Sequence, residues 1–257
     1  MRAFLRIART EVLEHRRQPW MIFILAANYV LWICVFGAMF LIFDRLTSQP
    51  DTMALVKQQL AVLGVALEAM LQLATSTFAS LLFTNLPLYV AIMSGTSVLH
   101  DRECGTMPFL MLAPVTRLQL LMGKLAGPMA IPLAFHLLFV GTSSVVLVRV
   151  PSLTPYAHKF GASPAWWLAF FVGAPASAAF VGALGTVIYA LSRAFRTAMQ
   201  YTSFFIGLLS LGIGYILVDG ITQGMALQVV FAVACLIAAA LTLLVGARLI
   251  SKDVTQS

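Results

Sequence analysis

Long apolar runs alternate with short clusters of charge along this chain, and none of the runs alternates polar and apolar positions in the manner of a strand. Several approach or exceed the ~20 apolar residues that cross the hydrocarbon of a bilayer as a helix. In lipid every backbone polar group must pair within its element, which leaves only helices or closed barrels, and barrel strands would show about ten residues of alternating polarity. The pattern predicts an all-α polytopic membrane protein, one transmembrane domain over 1–257, with six spans at 20–43, 71–98, 118–148, 165–191, 201–218 and 225–246. Leu60–Val98 is long enough to hold two spans. Glu68 interrupts its front half, so Thr52–Met70 reads as an external amphipathic helix leading into the second span. Ahead of the first span, within 1–19, Met1, Phe4, Leu5, Ala8 and Val12 share one helical face, with Arg2, Arg6 and Arg9 opposite and Arg16 and Arg17 following. That pattern predicts a helix lying in the membrane interface; a basic flank that merely orients the first span is compatible with it.

Composition supports the membrane reading. The chain is 61% hydrophobic and 10% charged, with mean hydropathy +0.95, whereas soluble domains carry roughly 25% charged residues. Of the 16 Lys and Arg residues, 12 fall on one side of the predicted topology: Arg2, Arg6, Arg9, Arg16, Arg17, Arg102, Arg117, Lys124, Arg193, Arg196, Arg248 and Lys252. The positive-inside rule places that side, and both termini, in the cytoplasm of a multi-pass cell-membrane protein, the bacterial cytoplasmic membrane being the expected one. It also favours six spans, because splitting Leu60–Val98 would move the charges of 102–124 outside. The net charge of +7 is then explained by topology and anionic lipid, with no nucleic acid required. The segment Trp20–Phe43 is too long for the 7–15-residue apolar region of a secretory signal.

No pattern for chemistry stands out. Gly123-Lys124 is followed by Leu125, and position 118 is Leu where a phosphate-binding loop needs Gly. Cys34, Cys104 and Cys235 are far apart and read as small apolar fillers, Cys104 alone being expected to touch water. Inside the spans His136 is the one ionisable candidate, either a hydrogen-bonded packing residue or a functional one, while Lys124 near a span end can snorkel to the interface. The lack of intramembrane carboxylates and of an internal repeat argues against an ion-driven carrier. Gly173, Ala174, Ala178, Gly182 and Gly185, and Ala238 to Ala240, permit close helix approach either within one subunit or between subunits. Pro87 beside Asn85, and Pro128 and Pro132, predict kinks. Trp166 and Trp167 read as an interfacial anchor.

The segment Ser97–Lys124 is the most distinctive. His100, Asp101, Arg102 and Glu103 end the second span in water; Gly105 permits a turn and Thr106 can cap a short helix over Met107–Ala113 that Pro114 stops. Phe109, Leu110 and Leu112 would give that helix an apolar docking surface. A metal site at His100, Asp101 and Glu103 is less expected than solvated charges and local pairs. The run R-E-x-G-T-x-x-x-L-x-x-x-P-V-x-R-x-x-x-x-x-G-K, at Arg102, Glu103, Gly105, Thr106, Leu110, Pro114, Val115, Arg117, Gly123 and Lys124, resembles the cytoplasmic loop of ABC-2-type transporter permeases, small six-span membrane subunits of ATP-binding cassette systems. It departs from the usual pattern at Met107-Pro108, where an aliphatic-acidic pair is expected. The motif covers about a tenth of the chain; the remainder is compatible with the family.

The resemblance implies a permease without its own cofactor or nucleotide site. Its partners would be an ABC ATPase dimer that binds ATP and Mg, a second permease subunit, identical or related, and membrane lipid. The 101–117 loop would be an ATPase-coupling helix, with Asp101, Arg102, Glu103 and Arg117 fixing its angle by ion pairs with the ATPase or the interfacial helix. An apolar path would suit hydrophobic or amphipathic cargo. Alternatives are a membrane scaffold or assembly factor, a stand-alone carrier, and a haem-exporter-like permease.

Overall fold

The computed structural model describes residues 2–16, 19–49, 67–106, 110, 112, 114–149, 163–192, 200 and 202–255, with isolated positions between 51 and 62. These residues form seven helices and no strand. They are α1 (Arg2–Arg16), α2 (Pro19–Ser48), α3 (Leu67–Glu103), α4 (Arg117–Arg149), α5 (Pro164–Leu191), α6 (202–223) and α7 (Met225–Thr255). Among the described residues, five apolar segments are long enough to cross a membrane: Ala79–Glu103, Arg117–Thr142, Pro164–Leu191, Phe204–Ile221 and Met225–Ile250. The bent pair Phe4–Glu14 and Pro19–Val35 makes a sixth candidate. Helices α2, α3, α6 and α7 run on past the C-terminal ends of the expected spans, and α3 also starts earlier, while the remaining ends agree closely. The external helix expected over Thr52–Met70 lies mainly outside the described residues, and Leu67–Met70 already belong to α3.

Helices α3 and α5 form the centre, with α6 packed on α3, α7 on α5, and α1 on α4. Small residues set these approaches. A Cβ on Gly185 would lie 2.7 Å from the Ala91 carbonyl oxygen, and one on Gly182 2.6 Å from both Val90 and Leu125. Gly173, Ala174 and Ala178 are buried too, Gly173 against Leu217 of α6. The small-residue face of α5 is therefore used up by packing inside this chain, and the subunit-interface alternative does not apply to it. In α7, Ala239 is buried while Ala240 is exposed. Most of the outward surface of α2, α6 and α7 is apolar, including Phe23, Leu31, Phe205, Leu211, Ile237 and Leu241, as lipid-facing surface must be.

Pro87, Pro128 and Pro132 sit inside α3 and α4. Two π-helical turns, Ala169–Gly173 in α5 and Thr202–Ile206 in α6, interrupt the α geometry. Ser163 caps α5 by accepting from the Trp166 amide at 3.1 Å, ahead of Pro164 in the first turn. The aromatic pair corrects the sequence reading: Trp166 is 1% exposed and packs against Phe83, with ring centroids 5.2 Å apart, so it fills the core instead of anchoring at an interface. Trp167 is half-buried. Cys34 is exposed on α2 instead of buried; Cys104 is exposed and Cys235 buried.

Candidate functional site

The charged end of the bundle, where α1, the end of α3 and the start of α4 meet, carries nearly all the motif residues. Two turns define it. Helix α3 stops in a Schellman motif: the Thr106 amide donates to the Asp101 carbonyl at 2.9 Å and the Gly105 amide to the Arg102 carbonyl at 3.1 Å. That closure needs a left-handed residue, and Gly105 supplies it with φ +68. The Thr106 hydroxyl turns back to the same helix end, donating to the Asp101 carbonyl (3.1 Å) and carboxylate (3.2 Å). Helix α4 starts in a reciprocal capping box: the Gln119 amide donates to the Thr116 hydroxyl at 3.2 Å, and the Thr116 amide to the Gln119 side-chain oxygen at 3.1 Å.

Between the two turns, Leu110 and Leu112 are helical and the Leu110 amide donates to the Thr106 carbonyl at 3.0 Å. Leu110 packs against the core, while Leu112 is 83% exposed. Met107, Pro108, Phe109, Met111 and Ala113 lie outside the described residues, as does most of the short helix expected there. Pro114 is exposed at a bend, and Arg117 is half-buried in the first turn of α4.

The charges do not behave as a solvated group. Asp101 is 8% exposed and Lys124 3%, and neither reaches water as expected. Lys124 is instead the centre of a buried cluster. Its ammonium pairs with Glu11 of α1, lies 2.5 Å from the Asp101 carboxylate of α3, and donates to the Ser97 hydroxyl of α3 at 3.1 Å. The Ser97 hydroxyl in turn donates to the second oxygen of Glu11, which is 2% exposed. The ammonium is thus ion-paired to Glu11 and Asp101 and hydrogen-bonded to Ser97. Arg102 turns the other way, donating to the carbonyls of Ala190 (2.8 Å) and Ser192 (2.6 Å) and so satisfying the last turn of α5. His100 and Glu103 are exposed. Among the described residues no three His, Cys, Asp or Glu side chains are grouped to hold a metal ion.

Helix α1 reaches the cluster because α4 leaves room for it. Gly123 faces Ile7, where a Cβ would come 2.6 Å from its methyl, and Gly127 faces the Ala8 carbonyl oxygen at 2.7 Å and the Glu11 side chain. Glycines four apart clear one helix face for a second backbone. The face of α1 that docks is Phe4, Ile7, Ala8 and Glu11; Leu5, expected on it, is 53% exposed. Arg6 and Arg9 are exposed on the far side. The side chains of Arg2 and Arg16, and all of Arg17, lie outside the described residues.

Glu11 and Ser97 were not among the residues singled out from sequence. A signal for Glu11 exists: it is the one acidic residue on the face shared by Phe4, Ile7 and Ala8. Thr116 and Gln119 carry the T-x-x-Q spacing of a capping box, and Gly123 and Gly127 a G-x-x-x-G.

In the apolar interior His136 is 0% exposed, and neither ring nitrogen has a hydrogen-bond partner among the described residues. It stacks on Phe170, with centroids 5.0 Å apart, and meets Phe83 at 6.0 Å.

A helical bundle with apolar flanks and five to six segments long enough to cross a membrane among the described residues defines an all-α polytopic membrane protein. The family model for ABC-2 family transporter proteins matches residues 5–236, and the chain belongs to that family. The match takes in most of α1, the 101–117 segment and the first part of α7. No curated protein and no solved structure matches the chain.

Proposed function

We propose that this chain is the membrane permease subunit of an ATP-binding cassette exporter, driven by a separate ATPase dimer that binds ATP and Mg. Membership of the ABC-2 transporter family supports a transport role. The observation that carries the coupling is that 101–117 is held at both ends: by the Schellman closure and the Arg102 contacts at α3, and by the capping box at α4. A segment so anchored passes a push to helices that run through the bundle, while its middle offers the exposed Leu112 to a partner. The charged end then faces the cytoplasm, as do both termini. A second permease subunit, a copy or a relative, would complete the path, and the apolar spans suit hydrophobic or amphipathic cargo. The reaction is transport; hydrolysis belongs to the partner, and this chain is not the enzyme.

The test is co-purification with an ATPase subunit, followed by ATP-driven movement of a fluorescent amphipathic probe in proteoliposomes. Stimulated hydrolysis and probe movement are expected. Movement without ATP would indicate a carrier, and no ATPase partner a scaffold. Leu112→Asp, at the exposed position of the segment, is expected to leave insertion intact and abolish ATP-driven movement.

A further inference from the structure

We propose that Lys124 is a positioning residue that makes α1, the end of α3 and the start of α4 one rigid body, so that the interfacial helix moves with the coupling segment as part of the lever. The inference rests on the permease reading and specifies which helices move together.

The geometry leaves α1 little freedom. The ammonium of Lys124 takes its three acceptors from two helices besides its own, Glu11 from α1 and Asp101 and Ser97 from α3. Ser97 closes the ring by donating to Glu11. Glu11, Asp101 and Lys124 are all buried, so solvent compensates poorly for a broken contact. Two carboxylates share one ammonium, and lifting α1 away would leave Glu11 without it in a desolvated site. The backbones also touch: Gly123 and Gly127 bring α4 against Ile7 and Ala8 with no side chain of α4 between them. Thr106 then ties the same Asp101 to the first residue of the coupling segment. Asp101 and Lys124 therefore turn away from any ATPase. Of the motif charges, exposed Glu103 and half-buried Arg117 are left to meet one. Beyond the docked face, α1 presents Leu5, Arg6, Arg9 and Leu13 outward, a surface suited to lipid headgroups, and a tilt of the coupling segment would tilt that surface too.

The experiment uses the reconstituted permease–ATPase complex, with Cys34, Cys104 and Cys235 replaced by Ser. Spin labels at Arg9→Cys and Met122→Cys report the α1–α4 distance, and labels at Met122→Cys and Leu249→Cys report α4 against α7. With ATP and vanadate the first distance is expected to stay fixed and the second to shift. A shift in the first overturns the rigid body. If neither pair moves, ATP does not drive this chain and the permease reading itself fails. A second arm carries the Arg9→Cys and Met122→Cys labels into Lys124→Met. There ATP and vanadate are expected to change the α1–α4 distance, with hydrolysis continuing and probe movement lost. An α1–α4 distance that stays fixed in folded Lys124→Met overturns the role of Lys124. Where Lys124→Met does not fold, the spin-label distances decide.

Discussion

Two buried polar places sit at different depths of this molecule, and they are built on opposite terms. At the charged end Lys124 is ringed by Glu11, Asp101 and Ser97. In the interior His136 lies among Phe83 and Phe170 with neither ring nitrogen partnered among the described residues. A buried ionic cluster specifies which helices meet, and removing one member leaves the others charged without their counter-ion. A lone imidazole surrounded by rings specifies nothing of that kind; it packs as an aromatic of its size.

The sharpest way to break the contrast is Lys124→Met. It strands two carboxylates and should cost about 3–5 kcal/mol, seen as a lower melting temperature in detergent. Replacing the set together, Glu11→Leu, Asp101→Leu and Lys124→Met, should recover most of that stability without recovering coupled transport. A melting point as low as that of Lys124→Met would show that the charges themselves hold the fold. Next comes Gly127→Leu, which drives a side chain into the Ala8 carbonyl and Glu11. Overpacking of this kind typically costs about 1–3 kcal/mol, and α1 should become accessible to protease while the remaining helices keep their protection. His136→Phe should move the other way. It removes two unmet polar atoms and keeps the ring, so stability should stay level or rise by about 1–2 kcal/mol. A clear fall in melting temperature would mean that the imidazole has a partner in the working protein. The smallest effect is Thr116→Ala, loss of one half of a capping box, at about 1 kcal/mol, read as faster amide exchange confined to the first turn of α4.

Much of this could be read from residue order alone. An apolar chain with no strand periodicity had to be helical, and the Arg102-to-Lys124 motif pointed to the family that the family model shows. The turn at Gly105 was legible because only a left-handed residue ends a helix that way. Partners were harder to see. Asp101 reads as an interfacial charge because it stands among His100, Arg102 and Glu103, and Lys124 because it falls near a span end; the acid that meets them lies in a helix on the far side of the first span. Trp166 was misplaced for a similar reason: proximity to a predicted helix start suggests an interface, but the side chain follows the helix face, and that face meets Phe83. The π turns had no sequence signal that we could use.

The ring around Lys124 also sets an order of events during synthesis. Glu11 leaves the ribosome 113 residues before the lysine that neutralises it, on the order of ten seconds at the usual rate of elongation. Through that interval α1 has no glycine-lined seat and no counter-charge within the bundle. It must wait at the membrane surface, and the arrival of residues 123–127 is the step that recruits it. Assembly of this end of the protein is thus a late, single event, triggered from the middle of the chain.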